Sequence, residues 1–409
     1  MFMTQLKLAI RNVFRNKRRT SITLGSIIIG GVAIILVGGY IEYSFWGLRE
    51  MAIRSELGHI QLYQKGFIKS GQIEPQKYLL DETQVQQIES ELLEHQSVKT
   101  FSQRLSIVGL VSDGDKNLFF LGQGVEAEKE SEISSTLSIV EGTDLFEDDA
   151  YKVLVGKGLA ENLKLSVGDS VTLLVSTFYG GINAMDFEIA GIISNGIKEF
   201  DDKIVRLNIS EAQELLGTTK VERVIALLDE TDSTQAVSDD LASNLAAANI
   251  ELRTWDKMAD YYQKVKVVYR DIFTFLKSII LVVIVLSIMN TMTMSVMERV
   301  SEIGTLRSLG TSRVGILLLF INEGLVLGVL GGILAIIAGM LAAFVINLMG
   351  GIYMPPPPGH TTGYMILIKI MPNTLSFTFL LSVFSAMLSS ILPAIKAAKL
   401  KVVDAIRHV

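Results

Sequence analysis

Hydrophobic positions along this chain gather into four long runs, separated by stretches in which apolar and polar residues alternate. Ser21–Ile41 contains no charged residue, and further runs lie near 272–296, 314–348 and 374–395. About 20 apolar residues rising roughly 1.5 Å each span a hydrocarbon core of about 30 Å, so the pattern predicts four transmembrane helices. Ahead of the first run, Phe2, Leu6, Ile10, Val13 and Phe14 interleave with Lys7, Arg11, Arg15 and Arg18. That spacing predicts an amphipathic helix lying in the headgroup region. The third run exceeds one span, which predicts either an interfacial start or a strong tilt. Its Gly324, Gly328, Gly331, Gly332 and Gly339 predict small-residue faces for close helix packing in lipid.

The long interval between the first two runs reads differently. Polarity rises gradually after Trp46, and residues 256–271 mirror this on entry to the second run, which predicts two protruding helices forming a stalk. Between them short strands and helices alternate, an α+β pattern. Gly58–Tyr63 and Phe101–Val111 read as strands, Thr83–His95 as a helix and Asp113–Asp115 as a turn. Lys152–Leu174 reads as strand, helix, turn and strand. Val171–Thr177 and Asp186–Ile193 read as a hairpin around the tip Phe178, Tyr179, Gly180, Gly181 and Ile182. Val221–Leu228, a helix near 233–248 and Ile250–Arg253 complete the interval.

The chain therefore divides into an amphipathic helix (1–20), a first span (21–47), an α+β domain with stalk helices (48–271), a second span (272–296) and a charged helical connector (297–313). A third span (314–348), a loop (349–373), a fourth span (374–395) and a tail (396–409) follow.

Charge orients this arrangement. The net charge of −6 conceals 38 acidic and 22 basic residues within 48–271, a net of −16, against a net of +10 elsewhere. Lys7, Arg11, Arg15, Lys17, Arg18 and Arg19 precede the first span, Arg299, Arg307 and Arg313 lie between the second and third, and Lys396, Lys399, Lys401 and Arg407 follow the fourth. The 349–373 loop has only Lys369. By the positive-inside rule the termini and 297–313 are cytoplasmic, and 48–271 and 349–373 lie outside. The basic start resembles a signal peptide, but Tyr43-Ser-Phe-Trp46 is a poor cleavage site, so an uncleaved anchor is expected. A mean hydropathy of +0.41 and 49% hydrophobic residues accord with a membrane protein.

The chemistry available is limited. Cysteine is absent, which excludes disulfides and thiolate nucleophiles. No phosphate loop exists, since Gly156-Lys-Gly158 and Gly310-Thr-Ser-Arg313 lack its spacing, so the chain is not expected to hydrolyse ATP. His59, His95, His360 and His408 share no metal-ligand spacing. The acidic stretch Glu141–Asp149 reads as a solvated loop, not a calcium site. Glu323 is the carboxylate inside an apolar run; it is expected near the inner headgroups, where its cost is small. Met354-Pro-Pro-Pro-Pro-Gly-His360, with its Pro355–Pro358 tract, is expected to be an extended spacer.

Several motifs in order resemble one family. They are Leu8-Ala-Ile-Arg-Asn-Val-Phe-Arg-Asn-Lys-Arg-Arg-Thr20, Val155-Gly-x-Gly-Leu-Ala-x-x-Leu-x-Leu-x-Val-Gly-Asp169, Glu298-Arg-x-x-Glu-Ile-Gly-x-Leu-Arg-x-Leu-Gly310 and Pro393-Ala-x-x-Ala-Ala-Lys-Leu-x-x-x-Asp-Ala-Ile-Arg407. With one span, a large external domain and three more spans, the whole chain resembles the FtsX-like, MacB-type permeases of ABC transporters. The resemblance implies an α-helical membrane protein with four transmembrane helices plus a large periplasmic α+β domain, comprising porter-like and inserted β-rich subdomains, on a helical stalk. It implies residence in a bacterial inner membrane. It also implies that Glu298, Arg299, Glu302, Ile303, Gly304, Leu306, Arg307, Leu309 and Gly310 form a coupling helix that docks on a cytoplasmic ABC ATPase. ATP and Mg would be bound by that partner, and no cofactor by this chain. Val300, Ile303, Leu306 and Leu309 approximate one apolar face, which suits docking.

The same resemblance implies an ATPase dimer, a second copy or related permease, and work done by mechanical transmission without a water channel. Gly58-His-Ile-Gln61 brings the chain nearest to lipoprotein-releasing, LolC/LolE-like permeases, whose cargo is acylated. Extracting one chain of ~15 carbons costs on the order of 12 kcal/mol, so such cargo needs an apolar shelter. Phe45, Trp46, Met51, Tyr269, Ile272, Phe273 and Leu276 are the candidates for it, with an ordinary interfacial aromatic belt as the alternative. A periplasmic chaperone or adaptor is a further implied partner, although the short 178–182 tip lacks the long hairpin used for chaperone recruitment. An FtsX-like signalling subunit controlling wall hydrolases and a MacB-like peptide or drug exporter are alternatives. No nucleic-acid partner is expected.

Overall fold

The computed structural model describes residues 2–71, 73–356, 361 and 363–400, with side chains from Lys7 onward. Pro357–His360 of the expected spacer, and 401–407 of the final motif, lie outside the described residues. From the N-terminus, α1 (Phe2–Arg15) and α2 (Lys17–Ala52) lead into a π-helical turn, Ile53–Leu57. There follow β1 (Ile60–Gln64), α3 (Glu82–Glu94), β2 (Val98–Ser112), β3 (Asn117–Val125), α4 (Ala127–Ile133), β4 (Ser138–Gly142), β5 (Lys152–Gly156) and α5 (Lys157–Leu163). Next come β6 (Ser170–Ser176), β7 (Ile182–Ser194), α6 (Lys198–Asp201), β8 (Ile204–Asn208), α7 (Ile209–Leu216), β9 (Arg223–Leu228), α8 (Thr234–Asn244), β10 (Ile250–Thr254) and α9 (Trp255–Met258). The chain ends with α10 (Asp260–Glu298), α11 (Val300–Ser308), α12 (Arg313–Leu348), β11 (Ile352–Met354), β12 (Tyr364–Ile366) and α13 (Pro372–Lys399).

Two compact units result. One comprises Met1–Trp46, Lys266–Tyr353 and Met365–Val409; the other comprises Gly47–Val265 and Met354–Tyr364. Four helices are long and apolar enough to cross a membrane: Lys17–Leu57, Asp260–Glu298, Arg313–Leu348 and Pro372–Lys399.

In the membrane unit, α12 is one helix of 36 residues, about 54 Å long, without an interfacial break. Its glycines let neighbours approach. A Cβ on Gly328 would lie 2.8 Å from Val383 Cα of α13, and one on Gly331 would lie 2.8 Å from Ile27 of α2. Contact between small residues replaces the hydrophobic drive that lipid cannot supply.

The other unit is built on a ten-stranded sheet in the order β10-β1-β9-β2-β3-β8-β5-β7-β4, with β6 bridging β2 and β7. Two large buried cores form on it, beside a smaller cluster around Leu145, Leu154 and Ile193. Leu62, Ile88, Val224 and Leu241 centre one, under α3 and α8; Phe120, Val155, Phe187 and Leu215 centre the other, against α5 and α7. They share a single sheet, because the 15-residue β2 pairs with β9 through its first half and with β6 through its second.

In the π-helical turn the Ile53 carbonyl accepts from the Gly58 N–H at 2.8 Å, and the carbonyls after it are met by side chains. Thr136 Oγ1 donates to Arg54 O, Ser134 Oγ to Ser55 O and Arg104 Nη1 to Glu56 O. Arg104 is fully buried and pairs with Glu130 at 2.6 Å. Burial opposes the charge on Glu130, but Arg104 and Arg206 outweigh it and hold the carboxyl below its usual range.

Candidate functional site

The stretch from Glu298 to Gly310 forms a helix–turn between α10 and α12. Arg299 has left helical geometry and occupies the N-cap of α11. At the other end Gly310, at φ +95°, donates to Arg307 O while Thr311 donates to Leu306 O, the paired bonds of a glycine-terminated helix. Ser312 then caps α12 by accepting from the Gly315 N–H at 3.1 Å.

An ionic network fixes this turn to the rest of the membrane unit. The Arg299 guanidinium donates to Glu323 Oε1 at 2.8 Å and to Glu302 Oε2 at 2.9 Å, and stacks 5.8 Å from the Phe320 ring centroid. Glu323 also accepts from Asn12 Nδ2 at 2.7 Å, and Glu302 from Arg15 Nη2 at 2.8 Å. Arg19 reaches Glu298 at 3.2 Å. Burial disfavours charge on Glu302, but hydrogen bonds from Arg15 and Arg299 prevail and keep its carboxyl below the usual range. Arg307 donates to Leu400 O at 2.6 Å and so closes the end of α13.

These contacts correct two expectations. Glu323 is 2% exposed, ion-paired and about 15 Å along α12 from Arg313, so it is a buried structural charge and not a group solvated among headgroups. The apolar face of α11 also points elsewhere than expected. Val300, Ile303 and Gly304 are buried within the membrane unit's own core, and Leu306 and Arg307 are half-buried. The groups left outside are Ser301, Glu302, Thr305, Ser308, Leu309 and Gly310, with Leu309 78% exposed. Asn12, Arg15 and Arg19 were not singled out from the sequence as partners of this turn. Opposite charge provided the signal, since a basic helix and an Glu-Arg-x-x-Glu turn were both expected on one membrane face.

The shelter candidates are only partly brought together. Phe45 and Tyr269 meet edge to face with centroids 5.8 Å apart. Phe273 packs on Gly38, where a Cβ would lie 3.1 Å from the ring. Trp46 is 40% exposed beside Tyr43, and Ile272 and Leu276 face outward. Met51 belongs to the other unit, where it lines a 340 Å³ cavity with Leu48, Leu57, Met258 and Tyr262.

At the hairpin, Ile182 is the first residue of β7 and not part of the tip. The turn is closed by Thr177 N–H to Gly181 O at 2.8 Å, with Gly180 at φ +87°. Phe178 folds back on the core, leaving Tyr179 and Ile182 exposed. Gly58–Gln61 is wholly buried. His59 Nδ1 accepts from the Leu228 N–H at 3.0 Å, its Nε2 lies 3.0 Å from Thr231 Oγ1, and burial lowers its pKa to about 4. Among the described residues no three His, Asp or Glu side chains group as a metal site.

Four helices long and apolar enough to span a membrane, a sheet-based unit inserted after the first, and an ion-clamped turn after the second define a polytopic membrane protein. The MacB-like periplasmic core domain model matches residues 20–244 and the FtsX-like permease C-terminal model matches residues 274–402. The chain belongs to this MacB/FtsX/LolC family of ABC transporter permeases. It is 28% identical to an ABC transporter permease of Methanocaldococcus jannaschii over 67% of this chain and 66% of that one. It is 26% identical to the lipoprotein-releasing system transmembrane protein LolE of Haemophilus influenzae, over 77% of this chain and 79% of that one. It is 23% identical to LolC of Xylella fastidiosa over 72% and 74%. Among solved structures, the periplasmic region of MacB from Actinobacillus actinomycetemcomitans aligns with 52% of this chain and 95% of its own at 12% identity, TM-score 0.38.

Proposed function

We propose that this chain is the membrane subunit of a transporter in which a separate cytoplasmic ATPase dimer acts on two permeases, and that its cargo is lipid-linked or amphipathic. In this reading the termini and the 298–310 turn are cytoplasmic and the sheet-based unit is external, as the charge distribution favours. Mechanical transmission fits the turn. Arg299, Glu302 and Glu323 tie it to α1 and α12, so a push on it moves those helices instead of deforming a loose loop.

The observation that carries the proposal is the division of the turn into a buried, ion-paired half and an exposed half ending in Leu309. Among the described residues, a surface made of Thr305, Ser308 and Leu309 is left exposed. Leu309→Asp should therefore abolish permease-dependent stimulation of the ATPase and lower its capture by more than tenfold. Undiminished stimulation would refute the docking role. For cargo, the complex taken from native membrane should retain lipid or acylated protein; recovery of a wall hydrolase without lipid would replace this reading by signalling. Peptide or drug export is the second reading, favoured by the short Thr177–Gly181 turn, which offers no long hairpin for a chaperone.

A further inference from the structure

At the opposite end of the membrane unit from Arg299, two lysines stand without counter-charges among the described residues. Lys277 lies five residues into the apolar run that begins at Ile272, and is the lysine that hydropathy alone passes over. Its Nζ sits 4.0 Å from the Phe273 centroid and 4.6 Å from the Phe377 centroid, between α10 and α13. Lys369 precedes α13, with its Nζ 6.0 Å from the Trp46 centroid. Among the described residues neither ammonium is within ion-pair distance of a carboxylate, whereas the nearby Arg270 pairs with Asp271 at 3.3 Å.

The backbone around them is built to hold this arrangement. Gly38 and Gly39 are adjacent on α2 and serve the two lysines separately. Gly38 admits the Phe273 ring that underlies Lys277, and its Cβ would also lie 3.0 Å from Thr374 of α13. Gly39 admits the Lys369 backbone: a Cβ there would lie 2.8 Å from Lys369 O, and the Lys369 N–H donates to Gly39 O at 3.2 Å. Asn347 fixes the preceding residue from both sides, accepting from the Ile368 N–H at 2.8 Å and donating to Ile368 O at 3.0 Å. The ring beneath Lys277 and the backbone of Lys369 are thus held at neighbouring residues of α2.

An ammonium at the edge of hydrocarbon is costly unless it finds water or an anion, and aromatic faces supply part of that compensation. The charge distribution sharpens the point, because basic residues concentrate at the other end of the spans. We propose that Lys277 and Lys369 form a binding site for the phosphate of an anionic lipid headgroup, with Phe273, Phe377 and Trp46 against its glycerol and upper acyl carbons. The inference holds for a resident lipid and for cargo alike, so it does not depend on the cargo reading above.

Trp46 reports on this site, and the chain has only one other tryptophan, Trp255. In nanodiscs of phosphatidylcholine, a Trp255→Phe background is titrated with brominated phosphatidylglycerol or brominated phosphatidylcholine. At about fivefold per lysine, the anionic lipid should quench Trp46 at roughly 25-fold lower mole fraction. Lys277→Gln and Lys369→Gln should each remove about fivefold of this preference, and Lys277→Arg should keep it. Equal quenching by both lipids, or a preference unchanged in the glutamine variants, overturns the proposal. Loss of the preference in millimolar glycerol phosphate would assign the site to a soluble phosphate and overturn the lipid source; its persistence supports the lipid. Native mass spectrometry of the unsubstituted chain adds a second reading, in which one phosphatidylglycerol should be retained and lost in Lys277→Gln.

Discussion

The Glu298–Gly310 turn and the Gly58–Gln61 strand entry are both short, motif-like and placed where a spanning helix ends, yet they use their polar residues differently. In the first, Arg299, Glu302 and Glu323 are consumed in an internal network while Leu309 and its neighbours stay outside. In the second, all four residues are buried and every polar group serves the fold: His59 holds Leu228, and Gln61 donates to Leu57 O at 2.7 Å. A motif with an exposed remainder can still meet a partner, and one without it cannot. Gly58–Gln61 is therefore explained by the junction between the π-helical turn and β1.

The largest expected effect tests the buried half of the turn. Glu323→Gln leaves the Arg299 guanidinium without its buried counter-charge, and removing one partner of such a pair costs about 3–5 kcal/mol. Thermal unfolding in detergent should show that loss, while Glu302→Gln, whose side chain is half exposed, should cost no more than about 1 kcal/mol. Equal effects would mean that the network is a surface ornament and that the two motifs do not differ as described.

The next effect tests the strand entry through pH. His59 titrates near its ordinary 6.5 in the unfolded chain and at about 4 when folded. Between these values the unfolded chain binds a proton that the native chain does not, so stability is fully present above pH 6.5 and falls as the pH drops toward 4. A shift of this size corresponds to about 3 kcal/mol. Unfolding of the full chain followed from pH 7.5 to 4 should be steeper than in His59→Gln by that amount; parallel curves would show that His59 is not a buried neutral acceptor.

A smaller change at the same junction acts on the backbone. Gly58 has φ +61°, and a Cβ there would lie 2.3 Å from Ile225 Cγ2 and 3.0 Å from Ala226 O. Gly58→Ala should cost about 1–3 kcal/mol through strain and displacement of β9. The unfolding midpoint checks it, and an unchanged midpoint would remove the structural explanation of the glycine.

What the sequence disclosed follows from how locally each feature is encoded. Four spans, the strands around Ile60 and Phe101 and the β6–β7 hairpin carry unbroken or alternating patterns and were readable. β3 and α7 were not. Asn117–Val125 is interrupted by Gly122 and Gly124, and Gly124 is needed because a Cβ would meet Ala212 of α7 at 2.2 Å. That requirement is a tertiary contact with no local trace. Hydropathy likewise could not separate α10 from α12, which are equally apolar; glycines pack α12 against two neighbours, while α10 has none and leaves Val282, Val283 and Leu286 exposed. The candidate coupling residues were legible as a group, but their division into inward and outward members depended on Glu323, 13 positions beyond Gly310.

The smallest stability effect is the most informative about the exposed half of the turn. Leu309 follows the last residue of α11 and is 78% exposed, with Gly310 supplying the positive φ that ends the helix. Its own N–H donates to Thr305 O, so the backbone bond survives any side-chain change. Leu309→Ala should therefore alter the unfolding midpoint by less than about 0.5 kcal/mol, as substitutions at unused surface positions do. The same variant should weaken ATPase capture measurably, because an apolar side chain left 78% exposed among the described residues gains from burial against an external partner. If Leu309→Ala destabilised the chain as much as Gly58→Ala, Leu309 would be a packing residue too, and the turn would offer a partner no more than the strand entry does.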